Sequence, residues 1–371
     1  MNTTRAIDLE DAEGLVAADR EGLLRAASMA GAAVRSVAAA ADEGALDSLR
    51  VDDRPRSAIW VAGRGTAETA GAMLAATLGG VADEPIVVAA EAPPWLGPLD
   101  VLIVAGDDPG DPALVEAAAT GVRRGARVVV VAPYEGPLRD TTAGRVAVLA
   151  PRLPVPDEFG LSRYLAAGLA ALQTVDSRVR IDLALLADEL DAEALRNSAS
   201  RELFTNPAKT LAARISGRRV ALAGDCAATI ALARHGSSAF LRIAHQAVAA
   251  TGLADAVVAL RATSAQGDTP SSVDALFHDE EIDGPLPERL RVVALTLAGE
   301  RTVVAARVAG LHDVGLDVDL IAAEDVPDAP GGSAGSVALP APTGAGRAEQ
   351  QLAVLAVRLE MAAVYVRLVR G

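Results

Sequence analysis

Residues 59–73 read Ile-Trp-Val-Ala-Gly-Arg-Gly-Thr-Ala-Glu-Thr-Ala-Gly-Ala-Met, and the fold turns on how that stretch is parsed. A run of apolar strand formers ends at Ala62, a Gly63-Arg64-Gly65-Thr66 turn follows, and small residues then recur at helical spacing. The parse is strand, tight loop, helix. In an open parallel sheet, anionic ligands bind in the crevice beyond the strand's carboxyl end, where the next helix presents free N–H groups.

The same alternation continues along the chain. Strands are expected at 58–61, 86–89, 101–104, 128–131 and, shorter, 146–149, with helices at 66–78 and 112–124. Uniformly apolar strands of this kind belong to a parallel sheet covered on both faces. After a proline-marked turn at 151–160, residues 161–172 and 181–190 read as helices. The theme then repeats: 219–223 leads into Gly224-Asp225-Cys226 and a helix through Arg234, followed by strands at 257–260, 291–297 and 318–322 and a helix at 301–311. Upstream, 19–41 reads as a helix. The stretch 326–346 is rich in Pro, Gly, Ser and Ala, and 347–370 reads as an amphipathic helix whose apolar face needs a neighbour. The expected layout is a helical segment over 1–54, α/β domains over 55–175 and 176–330, a linker over 331–346 and a closing helix over 347–371.

The chain has 371 residues, more than one domain usually holds. Hydrophobic residues make up 51% and aromatics only 2%, so the cores must be built from Ala, Val and Leu, which suits close helix–strand packing. A net charge of −15 without clustered cations argues against nucleic acid as a partner. Cys226 is the only cysteine, which excludes a disulfide framework and a multi-cysteine zinc site; no metal and no cofactor is expected. No apolar run nears the roughly 20 residues of a membrane helix and the first residues lack a signal core, so a soluble cytoplasmic protein with no membrane contact is expected. Lys209 is the only lysine, and arginines are poor acid–base catalysts near neutral pH.

In its order of motifs the chain resembles the SIS (sugar isomerase) fold and, within it, the bifunctional phosphoglucose/phosphomannose isomerase family, over nearly all of its length from Pro55. The resemblance implies two tandem SIS domains, each a parallel-sheet three-layer α/β/α unit, a homodimer, and a sugar phosphate as ligand. In that family the first strand runs into Gly-Met-Gly-Gly-Ser-Ala, matched here by Gly63-Arg64-Gly65-Thr66-Ala67, where Thr66 keeps a hydroxyl. The third strand runs into Ser-Tyr-Ser-Gly-Asn-Thr, whose hydroxyls and backbone hold the phosphate. Here that place reads Ala105-Gly106-Asp107-Asp108-Pro109-Gly110-Asp111, and the hydroxyls are gone. Gly63, Arg64, Gly65, Thr66, Asp107 and Gly110 are the ligand-binding candidates. Three readings stay open: Asp108 and Asp111 cap and charge the helix beginning at Pro112; the aspartates recognise a cation or an amine; or Arg64 restores the charge a phosphate needs.

Aldose–ketose isomerisation needs a base that moves a proton between C1 and C2 and a group that opens the ring. The family's base is a glutamate in an Asn-Glu-Asn segment, and the corresponding region has no carboxylate from Cys226 to Ala254, leaving His245 as a substitute. The family's ring-opening histidine acts across the dimer interface from a His-Asn-Glu-Ile segment. Phe277-His278-Asp279-Glu280-Glu281-Ile282 matches it, making His278 the catalytic candidate, with Glu280 as its orienting partner or as a replacement base. The family's lysine after the last helix has no counterpart. Two functions follow: an isomerase with a rebuilt site, or a non-catalytic SIS protein that senses a sugar phosphate or regulates a partner in carbohydrate metabolism. A dinucleotide-binding oxidoreductase would need a third glycine after Gly63-Arg64-Gly65 and is disfavoured.

Overall fold

The computed structural model describes residues 7–51, 53–265, 289–312, 317–323 and 348–370. Its helices are α1 (Ala12–Ala18), α2 (Leu23–Ala27), α3 (Ala30–Asp42), α4 (Gly65–Leu78), α5 (Pro112–Arg123), α6 (Gly136–Thr142), α7 (Leu161–Val175), α8 (Leu183–Arg196), α9 (Pro207–Ile215), α10 (Ala227–Ala244), α11 (Leu253–Ala265), α12 (Arg301–His312) and α13 (Ala348–Arg370). The chain forms two compact units: one from 19–198 and 348–361, the other from the described parts of 1–18, 199–347 and 362–371.

In the first unit β1 (Ser57–Ala62), β2 (Ile86–Ala89), β3 (Asp100–Ala105), β4 (Arg127–Val131) and β5 (Ala147–Val148) pair in parallel in the order β2-β1-β3-β4-β5. Side chains alternate across a strand. Ile59, Val61, Leu102, Val104, Val128 and Val130 therefore share one face and close a core with Leu114, Ala117 and Ala118 of α5. Trp60 points to the other face, against α4 and α7. There a Cβ on Gly71 would stand 2.3 Å from the indole and one on Gly168 2.9 Å from it, so glycine is what admits the ring. Helices on both faces make the three-layer unit.

This unit extends further than the expected boundary at 175/176. α8 packs on α3, where the Ala187 carbonyl lies 2.6 Å from where a Gly31 Cβ would sit and Arg35 pairs with Asp188 and Asp191 at 2.7 and 2.6 Å. Those contacts carry residues 176–198 into the first unit, and the N-terminal segment divides between Ala18 and Asp19. Glu193 is a fully buried charge of this unit. Its carboxylate accepts from Arg358 Nε at 2.7 Å, Asn197 Nδ2 at 2.7 Å and Arg196 Nη2 at 2.7 Å, with both Glu193 and Arg358 nearly sealed from solvent. Burial alone would raise its pKa, but Arg358 and Arg196 together hold it below the usual carboxylate range.

The second unit holds β6 (Arg219–Gly224), β7 (Ala249–Gly252), β8 (Leu290–Leu295) and β9 (Val318–Ile321), parallel and in the order β7-β6-β8-β9. Residues 257–260, expected as a strand, lie inside α11. Leu253, Ala256 and Leu260 recur at helical spacing and enter the core, while Val258 is exposed. The strand is instead β7, whose Ala-Ala-Thr-Gly sequence has little apolar bulk to reveal it. Asn206 caps α9 through the Lys209 N–H at 2.9 Å, and Lys209 Nζ donates to the carbonyls of Ala199 and Arg201 at 2.8 Å each, a structural use of the only lysine. α13 also departs from expectation: every residue from 352 to 366 is buried, so it has no solvent-facing polar side over that length. The expected linker at 331–346 lies outside the described residues. Among those described, no helix is long and apolar enough to cross a membrane.

Two consequences are measurable. Glu193→Ala removes the buried carboxylate that Arg358, Arg196 and Asn197 share and should cost about 3–5 kcal/mol in denaturant unfolding, as broken buried pairs do. Glu84, just before β2, is 3% exposed with neither carboxylate oxygen hydrogen-bonded among the described residues, and burial followed by Asp176 raises its pKa. The native state keeps a proton that the unfolded chain releases above about pH 4.3, so stability falls as pH rises from there. Glu84→Gln should raise the melting temperature at pH 8 and give no gain at pH 4; an equal gain at both would contradict this.

Candidate functional site

The strand order reverses between β1 and β3, whose register runs from Ser57 opposite Asp100 to Ala62 opposite Ala105. The loops after those strands, 63–65 and 106–111, therefore open side by side at the position where ligands bind in such sheets. Gly65 turns the first loop with φ +67°, a conformation glycine adopts without strain. In the second, Asp108 Oδ1 accepts the Gly110 N–H at 2.8 Å, and Asp111 caps α5 by accepting the Ala113 N–H at 2.9 Å ahead of Pro112.

This crevice is occupied by the chain itself. A Cβ on Gly63 would lie 2.5 Å from Asp111 Oδ2, so the cap's second oxygen rests against the β1 turn. Two like unit charges about 4 Å apart repel by about 4 kcal/mol at an effective dielectric near 20, which disfavours a phosphate in that place. Thr66, expected to offer its hydroxyl to a ligand, is 5% exposed and directs Oγ1 to Asp157, 3.3 Å from both the carbonyl and Oδ1. Arg64 is exposed at the N-cap position of α4 and forms no ion pair with Asp107. Gly63, Gly65 and Gly110 are exposed around the same opening.

Beside the crevice lies a cavity of about 200 Å³ whose wall includes Asp107, Asp157, Ser36, Arg163, Leu153 and Phe159. It is smaller than the roughly 300–1,000 Å³ of drug-sized sites, so its occupant is small. Arg163 lies in the first turn of α7, with its guanidinium stacked 4.1 Å from the Tyr164 ring centroid. Neither Arg163 Nη1 nor the Tyr164 hydroxyl, both buried, has a hydrogen-bond partner of acceptable geometry among the described residues. Burial pushes the Tyr164 phenol up to about 12, with Arg163 opposing, so it stays protonated.

Of the expected site residues, the structure brings Gly63, Arg64, Gly65, Thr66, Asp107 and Gly110 to one end of the first sheet. His245 is not brought to any such place. It ends α10 with φ +52° and is exposed, and 18 residues at 1.5 Å each put it about 27 Å from the helix start at the end of β6. His278 and Glu280 lie outside the described residues. Asp157, Arg163 and Tyr164 were missed because 151–160 reads as a mere connector, and Ser36 because 19–41 reads only as a packed helix. The available signal was Arg163 itself, a cation in a helix's first turn, where the dipole disfavours it. Among the described residues no group of three or more His, Cys, Asp or Glu side chains is arranged to hold a metal ion.

No protein-family model matches the chain, and neither does any curated protein. Solved structures do match. Tagatose-6-phosphate ketose/aldose isomerase from Escherichia coli aligns at 17% identity and TM-score 0.60, over 93% of this chain and 92% of that one. A glucose-6-phosphate isomerase like protein from Thermus thermophilus aligns at 20% identity and TM-score 0.54, over 98% and 96%. Glucosamine-6-phosphate deaminase from Thermotoga maritima aligns at 9% identity and TM-score 0.55, over 94% and 95%. The fold is that of two tandem SIS domains. At these identities the likeness speaks for fold alone, and the function has to be argued from the site in the first SIS domain.

The contact between the two loops of that domain can be tested by a double-mutant cycle. Asp111→Ala should cost about 1 kcal/mol through the lost cap. Gly63→Ala should destabilise the wild type and cost less in the Asp111→Ala background; the same cost in both would show that Asp111 does not fill the turn.

Proposed function

We propose that this chain binds a small phosphorylated sugar in the cavity of its first SIS domain, with Arg163 gripping the phosphate and Asp107, Asp157 and Ser36 facing the sugar. The observation that carries this reading is Arg163 Nη1, a buried cationic donor on the cavity wall with no hydrogen-bond partner among the described residues. Leaving such a donor unpaired costs about 1–3 kcal/mol, and a guanidinium meets a phosphate with two parallel charge-assisted hydrogen bonds. The names of the aligned structures, which act on or resemble proteins acting on hexose phosphates, support the ligand class. The loss of the hydroxyls at 105–111 and of any carboxylate from Cys226 to Ala254 favours binding or sensing, with regulation of a partner in carbohydrate metabolism as the output.

The second reading is aldose–ketose isomerisation of glucose 6-phosphate or mannose 6-phosphate, favoured by the isomerases among the aligned structures. His278 would then open the ring across a homodimer interface, and Glu280 would move the proton or orient His278. A cytoplasmic homodimer accompanies either reading; light scattering at the column outlet measures the oligomer.

Titration calorimetry with glucose 6-phosphate and mannose 6-phosphate tests the binding claim. Arg163→Met should weaken binding about 10- to 100-fold, the equivalent of one charge-assisted contact. A coupled isomerase assay separates the readings: binding without turnover supports the sensor, and turnover abolished in His278→Ala supports the enzyme. No binding of either sugar phosphate at millimolar concentration overturns both.

A further inference from the structure

Three carboxylates of the first domain meet just ahead of β2, and they are not equally compensated. Asp83 pairs with Arg54 at 2.5 Å and with Arg178. Asp176, the C-cap of α7, accepts the Asp83 N–H at 3.2 Å and the Arg178 N–H at 2.8 Å, which ties the 79–85 loop to the segment after α7. Glu84 is about as buried as Asp176, at 3% and 2% exposed, yet neither of its oxygens makes a hydrogen bond of acceptable geometry among the described residues. The other charges acting on it are Arg54, ahead of β1, and Arg127, at the head of β4. Among the described residues these carboxylates are not arranged to hold a metal ion. A proton remains as the species that can neutralise Glu84.

We propose that Glu84 operates a pH-sensitive latch in the first domain, closed between 79–85 and 176–178 while Glu84 is protonated and loosened when it ionises. Ionisation sets a third negative charge beside Asp83 and Asp176 with no hydrogen bond to hold it. The loop that would yield is lightly tethered: residues 79–81 are exposed, and the Val81 and Ala82 N–H groups reach only the Leu78 carbonyl, at 2.8 Å each. Histidine is what ordinarily titrates between pH 5 and 8. His235, His245, His278 and His312 all fall outside 19–198 and 348–361, so no histidine of the first domain competes with Glu84 for that range.

Hydrogen exchange of the full chain, followed by mass spectrometry from pH 5 to pH 8 and corrected for intrinsic rates, reads the latch. Protection across 79–84 should fall at least about fivefold over that range, because the closed form keeps a proton that the open form releases above about pH 4.3. At the start of α5, where the Ala113 N–H is held by Asp111, protection should stay constant. Glu84→Gln should remove the pH response at 79–84, and Asp176→Asn, which deletes a like charge and keeps an acceptor, should shrink it. A flat profile in the wild type, the same fall in Glu84→Gln, or an undiminished fall in Asp176→Asn overturns the proposal. An equal fall at α5 also overturns it, by assigning the change to the domain as a whole. If Glu84→Gln does not fold, the wild-type profile and Asp176→Asn decide.

Discussion

The parallel pairing of β1 with β3 is the constraint on which the first domain depends. Six consecutive residues of each strand lie opposite one another, so the loops that follow Ala62 and Ala105 must emerge together. On their other sides β1 pairs with β2 and β3 with β4, and both strands are buried throughout. The loops consequently have little freedom to separate, and their side chains decide what the crevice between them accepts.

Here those side chains are carboxylates. Asp111 does two jobs at once: one oxygen caps α5 and the other rests against Gly63, so the space over the β1 turn is held by a residue that also secures the neighbouring helix. Thr66 is likewise engaged with Asp157. On the binding role proposed above, the anion falls to Arg163, whose guanidinium stacks on the Tyr164 ring and whose Nη1 makes no hydrogen bond of acceptable geometry among the described residues.

Much of the fold was legible because apolar strands in a parallel sheet are written continuously, as in Ile59–Val61 and 128–131, and because Asp111-Pro112 marks a helix start by local chemistry. What was not legible depended on tertiary packing. A Val-Val pair in α11 resembles a strand until Leu253, Ala256 and Leu260 are seen to share a face, and β7 carries too little apolar bulk to be noticed. The first domain's limit at Ser198 is set by contacts of Arg35 and Glu193 with residues far away in sequence. The site was half legible. The two loops were found by motif order, whereas Arg163 reaches the cavity only through the path of 151–160, which no local pattern encodes, and His245 looked available because the helix was read only through Arg234 while it runs on to Ala244.

The most direct measurement is a crystal structure of the chain soaked with a hexose 6-phosphate. Phosphate density within hydrogen-bond distance of Arg163 Nη1, with Asp111 still against Gly63, is the expected result. Phosphate seated over Gly63–Thr66 with the Asp111 carboxylate displaced would contradict it.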